Sequence, residues 1–348
     1  MTETLPSPLA FPAHFAVGGR EIGPGRPVFV IAEAGVNHFG QMDLAEQLLD
    51  LAISAKADAF KLQVFDVDQL FTAQAGAWKD RLRPRVLSFD EIARLRDRCR
   101  AAGLAFLLTT HDSSKIPWLE KLDVDAVKVG SGERDNTPFL AELAALRRPM
   151  IVSTGMHDAE AVKRTISACA RAGAPALALL HCVTSYPTPE DQLNLAAMDE
   201  LRSLFPGPVG YSDHTPDHAA VLYAVARGAQ IIEKHITILR DVPNAQDWKV
   251  SAGPEDFGAL VSAIRRVTTM LGSGKKEPAP CESAALSWAT KSLVAARVIA
   301  AGETITAADL VAKRPGDGIP PHRLGEIVGR KAKVKLEPDQ ALAWENLE

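Results

Sequence analysis

The sequence predicts a (β/α)8 TIM barrel over residues 1–271, a linker over 272–291 and a small β-rich module over 292–348. Three observations predict it. Between residues 27 and 237, eight short β-branched runs alternate with amphipathic helical stretches. No Gly-x-Gly-x-x-Gly follows the first run, where an open doubly wound sheet would favour one. After residue 271 the texture changes, and "GSGKKEPAPCES" (272–283) has the Gly, Pro and charge of a linker.

The strand runs are "VFVIAEAG" (28–35), "AFKLQVF" (59–65), "LAFLLTT" (104–110), "AVKVGSG" (126–132), "MIVSTG" (150–155), "LALLHCVT" (177–184), "VGYSDHT" (209–215) and "QIIEKHIT" (230–237). Segments between them read as helices. In "MDLAEQLLDLAISAKA" (42–57), Leu44, Leu48, Leu51 and Ala55 recur at spacings of three and four, one face of a helix. Strand–helix alternation builds a parallel sheet, and eight strands close it. Past the linker, "SLVAARVI" and "KAKVKL" read as short strands among the turn signals "AAGE", "RPGDG" and "EPDQ". A module of this size buries little surface by itself and is expected to dock against something.

Composition narrows the function classes. Of 348 residues, 47% are hydrophobic, ample for a core, and the net charge of −4 argues against a dedicated nucleic-acid or anionic-membrane surface. Cys99, Cys169, Cys182 and Cys281 are scattered with no CxxC pair, which reads as reduced thiols rather than a disulfide framework. The first residues lack a basic n-region, and no stretch approaches the ~20 apolar residues that cross a bilayer. A soluble, cytoplasmic protein is expected.

Polar residues fall where the strands end. They are Glu33; Lys61 and Gln63; Thr109, Thr110 and His111; Lys128, Ser131 and Glu133; and Ser153. The last three strands add His181, Thr184 and Tyr186, then Ser212, Asp213 and His214, then Glu233, Lys234 and His235. Barrel enzymes place their active sites at this face, so the groups converge on one mouth. Any one alone is most simply a capped or surface polar residue; eight strand ends together are not. Lys61 and Lys128, with Ser131, Ser153, Ser212 and the glycines 130, 132 and 155, make an anion pocket for phosphate or carboxylate. Glu33 and Glu133 are candidates for proton transfer or for orienting sugar hydroxyls, or simply neutralise the lysines.

"SDHTPDH" (212–218) carries two histidines four apart, a spacing that on one helix would suit a metal. "TPD" (215–217) reads instead as a helix start, with Thr at the N-cap and Pro next. His214 then ends a strand while His218 lies in the following helix. The better partner for His214 is His235, on the adjacent strand of a closed barrel, and two imidazoles leave positions open for water and substrate.

The strings "IAEAGVNHFG", "FKLQVF", "KVGSGERDN", "IVSTGM", "LLHCVTSYPTP", "GYSDHT" and "IIEKHIT" resemble the sialic acid synthase (nonulosonic acid synthase) family. The tail "SLVAARVIAAGETITAADLVAKRPGDGIPP" resembles the antifreeze-like SAF domain that closes these enzymes. The resemblance implies a homodimer in which the small domain of one subunit caps the partner's active site. It implies condensation of phosphoenolpyruvate with an open-chain N-acetylated hexose such as N-acetylmannosamine, with release of phosphate. A divalent metal, Mn2+ or Mg2+, would sit on His214 and His235. Lys61, Thr109, Lys128, Ser131, Ser153, Thr184 and Ser212 would hold phosphoenolpyruvate. Glu33, Gln63, Glu133, Tyr186 and Asp247 would hold the sugar, with Glu33 or Glu133 in proton transfer and Lys61 beside them. Arg314, in "KRPG", would reach the acyl group from the partner.

Three departures from the family pattern stand out. "LTTHD" (108–112) lacks the family's Pro and has His111 in place of an aromatic residue; "NAQDWKVS" (244–251) keeps Asp247 but sets Trp248 beside it; and Thr184 stands where many relatives have Asn. The first two lie where the sugar is read. A di-N-acetylated 6-deoxyhexose, leading to a legionaminic- or pseudaminic-type acid, is the alternative acceptor, and Trp248 would suit an apolar substituent. Two other classes are open from the residues alone: a metal-dependent aldolase or hydrolase on the same barrel, and a non-catalytic sugar- or ice-binding protein.

Overall fold

The computed structural model describes residues 11–348. The chain divides between Gly272 and Ser273 into two compact units. In the first unit β3 (Phe29–Gly35), β4 (Ala59–Val64), β5 (Ala105–Thr110) and β6 (Ala126–Val129) lie side by side in chain order. They continue through β7 (Met150–Ser153), β8 (Leu177–Cys182), β9 (Val209–Asp213) and β10 (Ile231–His235), which pairs in parallel with β3 and closes the barrel. Each of the eight expected runs supplies one strand. Helices such as α1 (Met42–Ser54) cover the outside, burying Leu44, Leu48, Leu49 and Ala52. Among the described residues no helix is long and apolar enough to cross a membrane.

The strand alternation of period two sorts every residue to one of two sides. On β3 and β4, Val30, Ala32, Phe60 and Leu62 join the outer core beneath the helices. Phe29, Ile31, Ala59, Ala105, Leu107, Ile151, Ala178, Leu180 and Ile231 form a separate core inside the barrel. Buried on both faces, the strands read as almost continuous apolar runs. Two residues further along, the inward positions turn polar: Glu33, Lys61, Thr109, Lys128, Ser153, Cys182, Ser212 and Glu233.

Below the apolar layer lies an element the sequence reading did not resolve. A hairpin, β1 (Phe15–Val17) and β2 (Arg20–Ile22), places Val17 and Ile22 in the inner core and plugs the barrel. Its turn residue Gly18 has φ +55°, and a Cβ there would meet the Ala105 Cβ at 2.6 Å. Asp58 ties the plug to the barrel, taking Arg20 at 2.8 Å and the Val30 N–H at 2.7 Å.

The stretch after β9 departs from expectation. The helix α9 (Ala219–Ala226) begins three residues later than "TPD" suggested, with His218 at its N-cap. The physical reason is that the Thr215 hydroxyl donates to Asp213 at 2.9 Å instead of capping. Asp217 accepts the Ala219 N–H at 2.9 Å. His218 faces Asp256 at 3.2 Å, away from His214's surroundings. The turn is held by Lys234, fully buried on the outer side of β10, which pairs with Asp213 and donates to the Thr215 carbonyl at 2.7 Å.

The second unit has its own core of Leu293, Ile299, Ile305, Ile319, Ile327, Leu336 and Leu342. Only the first half of "SLVAARVI" is a strand, β11 (Ser292–Ala295), and its antiparallel partner is β12 (Leu310–Lys313). "KAKVKL" contributes single bridges, Thr304 to Lys331 and Ile299 to Leu336, because the chain bends between them. The expected linker contains a short helix, α11 (Ser283–Trp288), and the Ser287 carbonyl accepts the Gly316 N–H at 2.8 Å.

Asp213→Ala leaves Lys234 as an unpaired buried cation. It is expected to cost about 3–5 kcal/mol in chemical denaturation, with part recovered in Asp213→Ala/Lys234→Met. An unchanged midpoint for the single variant would show that the pair does not hold this turn.

Candidate active site

A cavity of about 260 Å³ opens at the C-terminal ends of the strands. Its lining includes Glu33, Lys61, Gln63, Thr109, Lys128, Ser131, Ser153, Thr184, Tyr186, Ser212, His214, His235 and Asp247, all expected from the sequence. Glu133 is not in the lining; its half-buried carboxylate accepts from Asn136 at 2.7 Å. Arg314 belongs to the second unit, where its guanidinium lies 5.6 Å over the Trp288 ring. Trp248 lies outside the lining too, its indole N–H donating to the Val242 carbonyl at 3.2 Å.

His111 and Glu233, expected at the mouth but with no assigned ligand, line the cavity too, as does Cys182, which the sequence places only among the thiols. Glu233 is the centre of the charge pattern. Its carboxylate lies 3.6 Å from Lys61 and 3.5 Å from Lys128, and it accepts from the Ser212 hydroxyl at 3.0 Å. Lys61 also meets Glu33 at 2.9 Å, and Lys128 donates to the Ser153 hydroxyl at 2.8 Å. Strand parity separates Glu233 from Lys234, since Glu233 shares the inward face of β10 with His235 while Lys234 faces out.

Burial and pairing split the ionisation of these groups. Burial would raise the Glu233 carboxyl, but Lys128 and Lys61 overcome it and hold it at about 2. Burial raises Glu33, against the pull of Lys61, so it is the carboxyl more readily protonated. Burial also opposes the charge of Lys61, yet Glu233 and Glu33 raise it; Lys128, with less compensation, is lowered. Two carboxyls pushed apart in this way suit one for acid–base work and the other as a fixed anion.

Ser131 and Ser153 sit where the chain must pass closely. A Cβ on Gly155 would meet the Thr184 hydroxyl at 2.4 Å and the Ser131 hydroxyl at 2.7 Å. The Gly155 N–H already donates to Ser131 at 2.9 Å, so it is not the free anion donor that the sequence suggested.

Above the lysines the imidazoles come together, as the adjacent-strand argument required. The rings of His214 and His235 are 5.5 Å apart. His214 Nδ1 donates to the Val183 carbonyl at 2.7 Å, which leaves Nε2 a lone pair, met by the Tyr186 hydroxyl at 2.9 Å. Burial works against a charge on His214, but the Cys182 sulfur and the Val183 carbonyl raise its pKa. Burial pushes His235 down to about 3, so it is neutral, and its Nδ1 is enclosed with no partner. Among the described residues no three His, Cys, Asp or Glu side chains form a closed metal cage. The donor set fits an open site of two imidazoles, whose remaining positions would go to substrate and water.

Lysine charge low in an enclosed cavity, with imidazoles above it, is what a barrel enzyme needs to hold an anionic substrate beneath an electrophilic one. The chain is a barrel enzyme. It belongs to the NeuB family, the nonulosonic acid synthases, which match residues 48–276; the SAF domain matches residues 290–348. The chain is 35% identical to the N,N'-diacetyllegionaminic acid synthase of Legionella pneumophila, over 94% of this chain and 96% of that one. It is 37% identical to an uncharacterized protein of Methanocaldococcus jannaschii, over 95% of this chain and 98% of that one. The solved N-acetylneuraminic acid synthetase of Leptospira borgpetersenii, in complex with citrate, superposes with a TM-score of 0.74 and 34% identity, covering 78% of this chain and 95% of that one.

The thiols offer a check on the cavity. Burial pushes Cys99 and Cys169 up to about 12, so neither carries thiolate at pH 8, whereas Cys281 is exposed. A disulfide reagent is expected to titrate Cys281 at once and Cys99 and Cys169 only after unfolding. Cys182, buried and lining the cavity, is expected to react slowly and to be protected by phosphoenolpyruvate. Equal rates with and without that ligand would remove Cys182 from the site.

Proposed function

We propose that this chain condenses phosphoenolpyruvate with the open-chain aldehyde of an N-acylated hexose, forming a nonulosonic acid and releasing phosphate. One observation carries the reading: a buried Lys61–Glu233–Lys128 network lies directly beneath the His214–His235 pair. Lys61 and Lys128 bind the phosphate and carboxylate of phosphoenolpyruvate, with Thr109, Ser131, Ser153, Thr184 and Ser212 as hydroxyl donors. Gln63, Tyr186 and Asp247 orient the sugar. A bound Mn2+ or Mg2+, held by His214 Nε2 and His235, would supply Lewis-acid polarisation of the aldehyde oxygen.

The enol carbon of phosphoenolpyruvate then forms the new bond to the aldehyde carbon. Glu33, raised by burial, donates a proton to the aldehyde oxygen as it becomes a hydroxyl. Water adds to the resulting cationic carbon and gives up a proton that restores Glu33, and the tetrahedral adduct expels phosphate, which carries off the remaining hydroxyl proton, to leave the keto acid. Glu233 remains ionised throughout and keeps the two lysines charged and in place. In this reading the barrel, residues 1–271, carries the chemistry, and residues 292–348 form the module that follows the 272–291 linker. Arg314 acts across a domain-swapped homodimer, a reading supported by its "KRPG" context.

Phosphate release is expected to require both phosphoenolpyruvate and an N-acyl hexose, to stop with a chelator and to return with Mn2+. His214→Ala is expected to abolish it while leaving the melting temperature near that of the parent. Release of phosphate without a sugar would point to a hydrolase instead. Mixing inactive His214→Ala with inactive Arg314→Ala is expected to restore part of the activity through hybrid dimers. No recovery after subunit exchange would place Arg314 outside the partner's site.

A further inference from the structure

A second cavity, of about 210 Å³, adjoins the first, and Gln63, His111 and Asp247 line both. Its outer wall comes from the long connection after β4, which contains α2 (Val67–Leu70) and α3 (Gly76–Leu82). That wall is apolar, made by Phe65, Leu70, Trp78 and Leu82. Arg81 and Arg85 also face the space, and neither has a carboxylate within ion-pair distance among the described residues. The Arg85 guanidinium lies 5.2 Å over the Phe39 ring and donates to the Asn244 carbonyl at 3.0 Å. Arg81 lies 5.1 Å over the Trp78 ring, and its Nε–H is shut off from water with no acceptor. A buried donor left in this way calls for an acceptor that arrives with a ligand.

The inner wall has the opposite polarity. Gln63 donates its amide N–H to Glu33 at 2.6 Å, which turns its carbonyl oxygen toward His111. His111 Nε2 lies 3.2 Å from that oxygen and therefore carries the proton. Its Nδ1 is left as a lone-pair acceptor, and the Asp247 carboxylate is a second acceptor on the same side. The annex thus offers a hydrogen-bond donor, two acceptors and an apolar wall within a small volume.

We propose that this annex holds a second acylamino group of the acceptor sugar, distant from its aldehyde; the proposal rests on the synthase reading above. The acyl oxygen accepts from Arg81 Nε, the amide N–H donates to His111 Nδ1 or Asp247, and the acyl methyl packs on Leu70, Trp78 and Phe65. A hydroxyl in the same place would leave the apolar wall wet. A phosphate would meet the arginines but also the Asp247 carboxylate, and would gain nothing from that wall. His111 and Trp78 are thereby specificity-determining residues.

Phosphate release is measured with phosphoenolpyruvate, Mn2+ and three acceptors: N-acetylmannosamine, its 6-phosphate and a di-N-acetylated 6-deoxyhexose. The parent is expected to favour the di-N-acetylated sugar by about tenfold or more in kcat/KM, the scale on which a pocket reads one added group. Trp78 is 47% exposed, so Trp78→Ala is expected to keep its fold, checked by melting temperature. Trp78→Ala and Arg81→Met are each expected to lose about tenfold on that sugar through KM, with N-acetylmannosamine changed less than about twofold. Preference for the mono-N-acetylated or 6-phosphorylated sugar, or equal losses on all three, would overturn the annex assignment while leaving the synthase intact. Turnover with none of them would overturn the synthase reading and the annex with it.

Discussion

Two ammonium groups inside one barrel can share a water-poor space only if an anion stands between them. Glu233 is that anion, within 3.6 Å of both Lys61 and Lys128. Three strands, β4, β6 and β10, each contribute one member, and β9 contributes the Ser212 hydroxyl that holds the carboxylate. At low dielectric such a triad is strongly attractive when complete and very costly when one member is missing. The closure of the barrel and the chemistry at its mouth therefore depend on the same few atoms. The site carries its own counter-charge, and an incoming phosphate or carboxylate would join an arrangement whose cations are already fixed. This is preorganisation in the electrostatic sense: the donors need not reorient when the substrate's charge shifts.

Most of this was legible in the sequence because parallel barrels obey two simple periodicities. Alternating runs marked the strands, and period-two alternation within each run decided which polar residues face inward. His214 and His235 could be paired because the last two strands must be neighbours. Glu233 stands among the strand-end groups in the sequence but without a role of its own, because its spacing does not say that two lysines from other strands will flank it. The structure pairs the neighbouring Lys234 with Asp213 on the opposite face. The helix start at "TPD" failed for a related reason, because a hydroxyl that could cap was already held by a buried carboxylate. No local pattern announces such a competition.

What the sequence could not show arises from chain segments far apart. The plug hairpin is two strands of three residues, too short for periodicity, and only its place beneath Phe29, Ile31 and Ala105 explains its apolar tips. The annex joins the connection after β4 to His111 after β5 and Asp247 after β10. Trp248, the aromatic that the sequence offers for a sugar substituent, has its indole N–H on the Val242 carbonyl, while Trp78 lines the second cavity. Loops carry such differences because the barrel tolerates their change while the strand ends keep the chemistry.

The hairpin has a kinetic meaning as well. With Val17 and Ile22 seated in the inner core, apolar side chains fill one end of the barrel and the polar cavity lies at the other, the C-terminal end of the strands. Along β4, β9 and β10, Lys61, Ser212 and Glu233 lie one rung deeper than Gln63, His214 and His235. A ligand resting on the lysines would have the histidine rung between it and the mouth of the cavity. The depth of the two rungs would then set the order in which two ligands enter and leave.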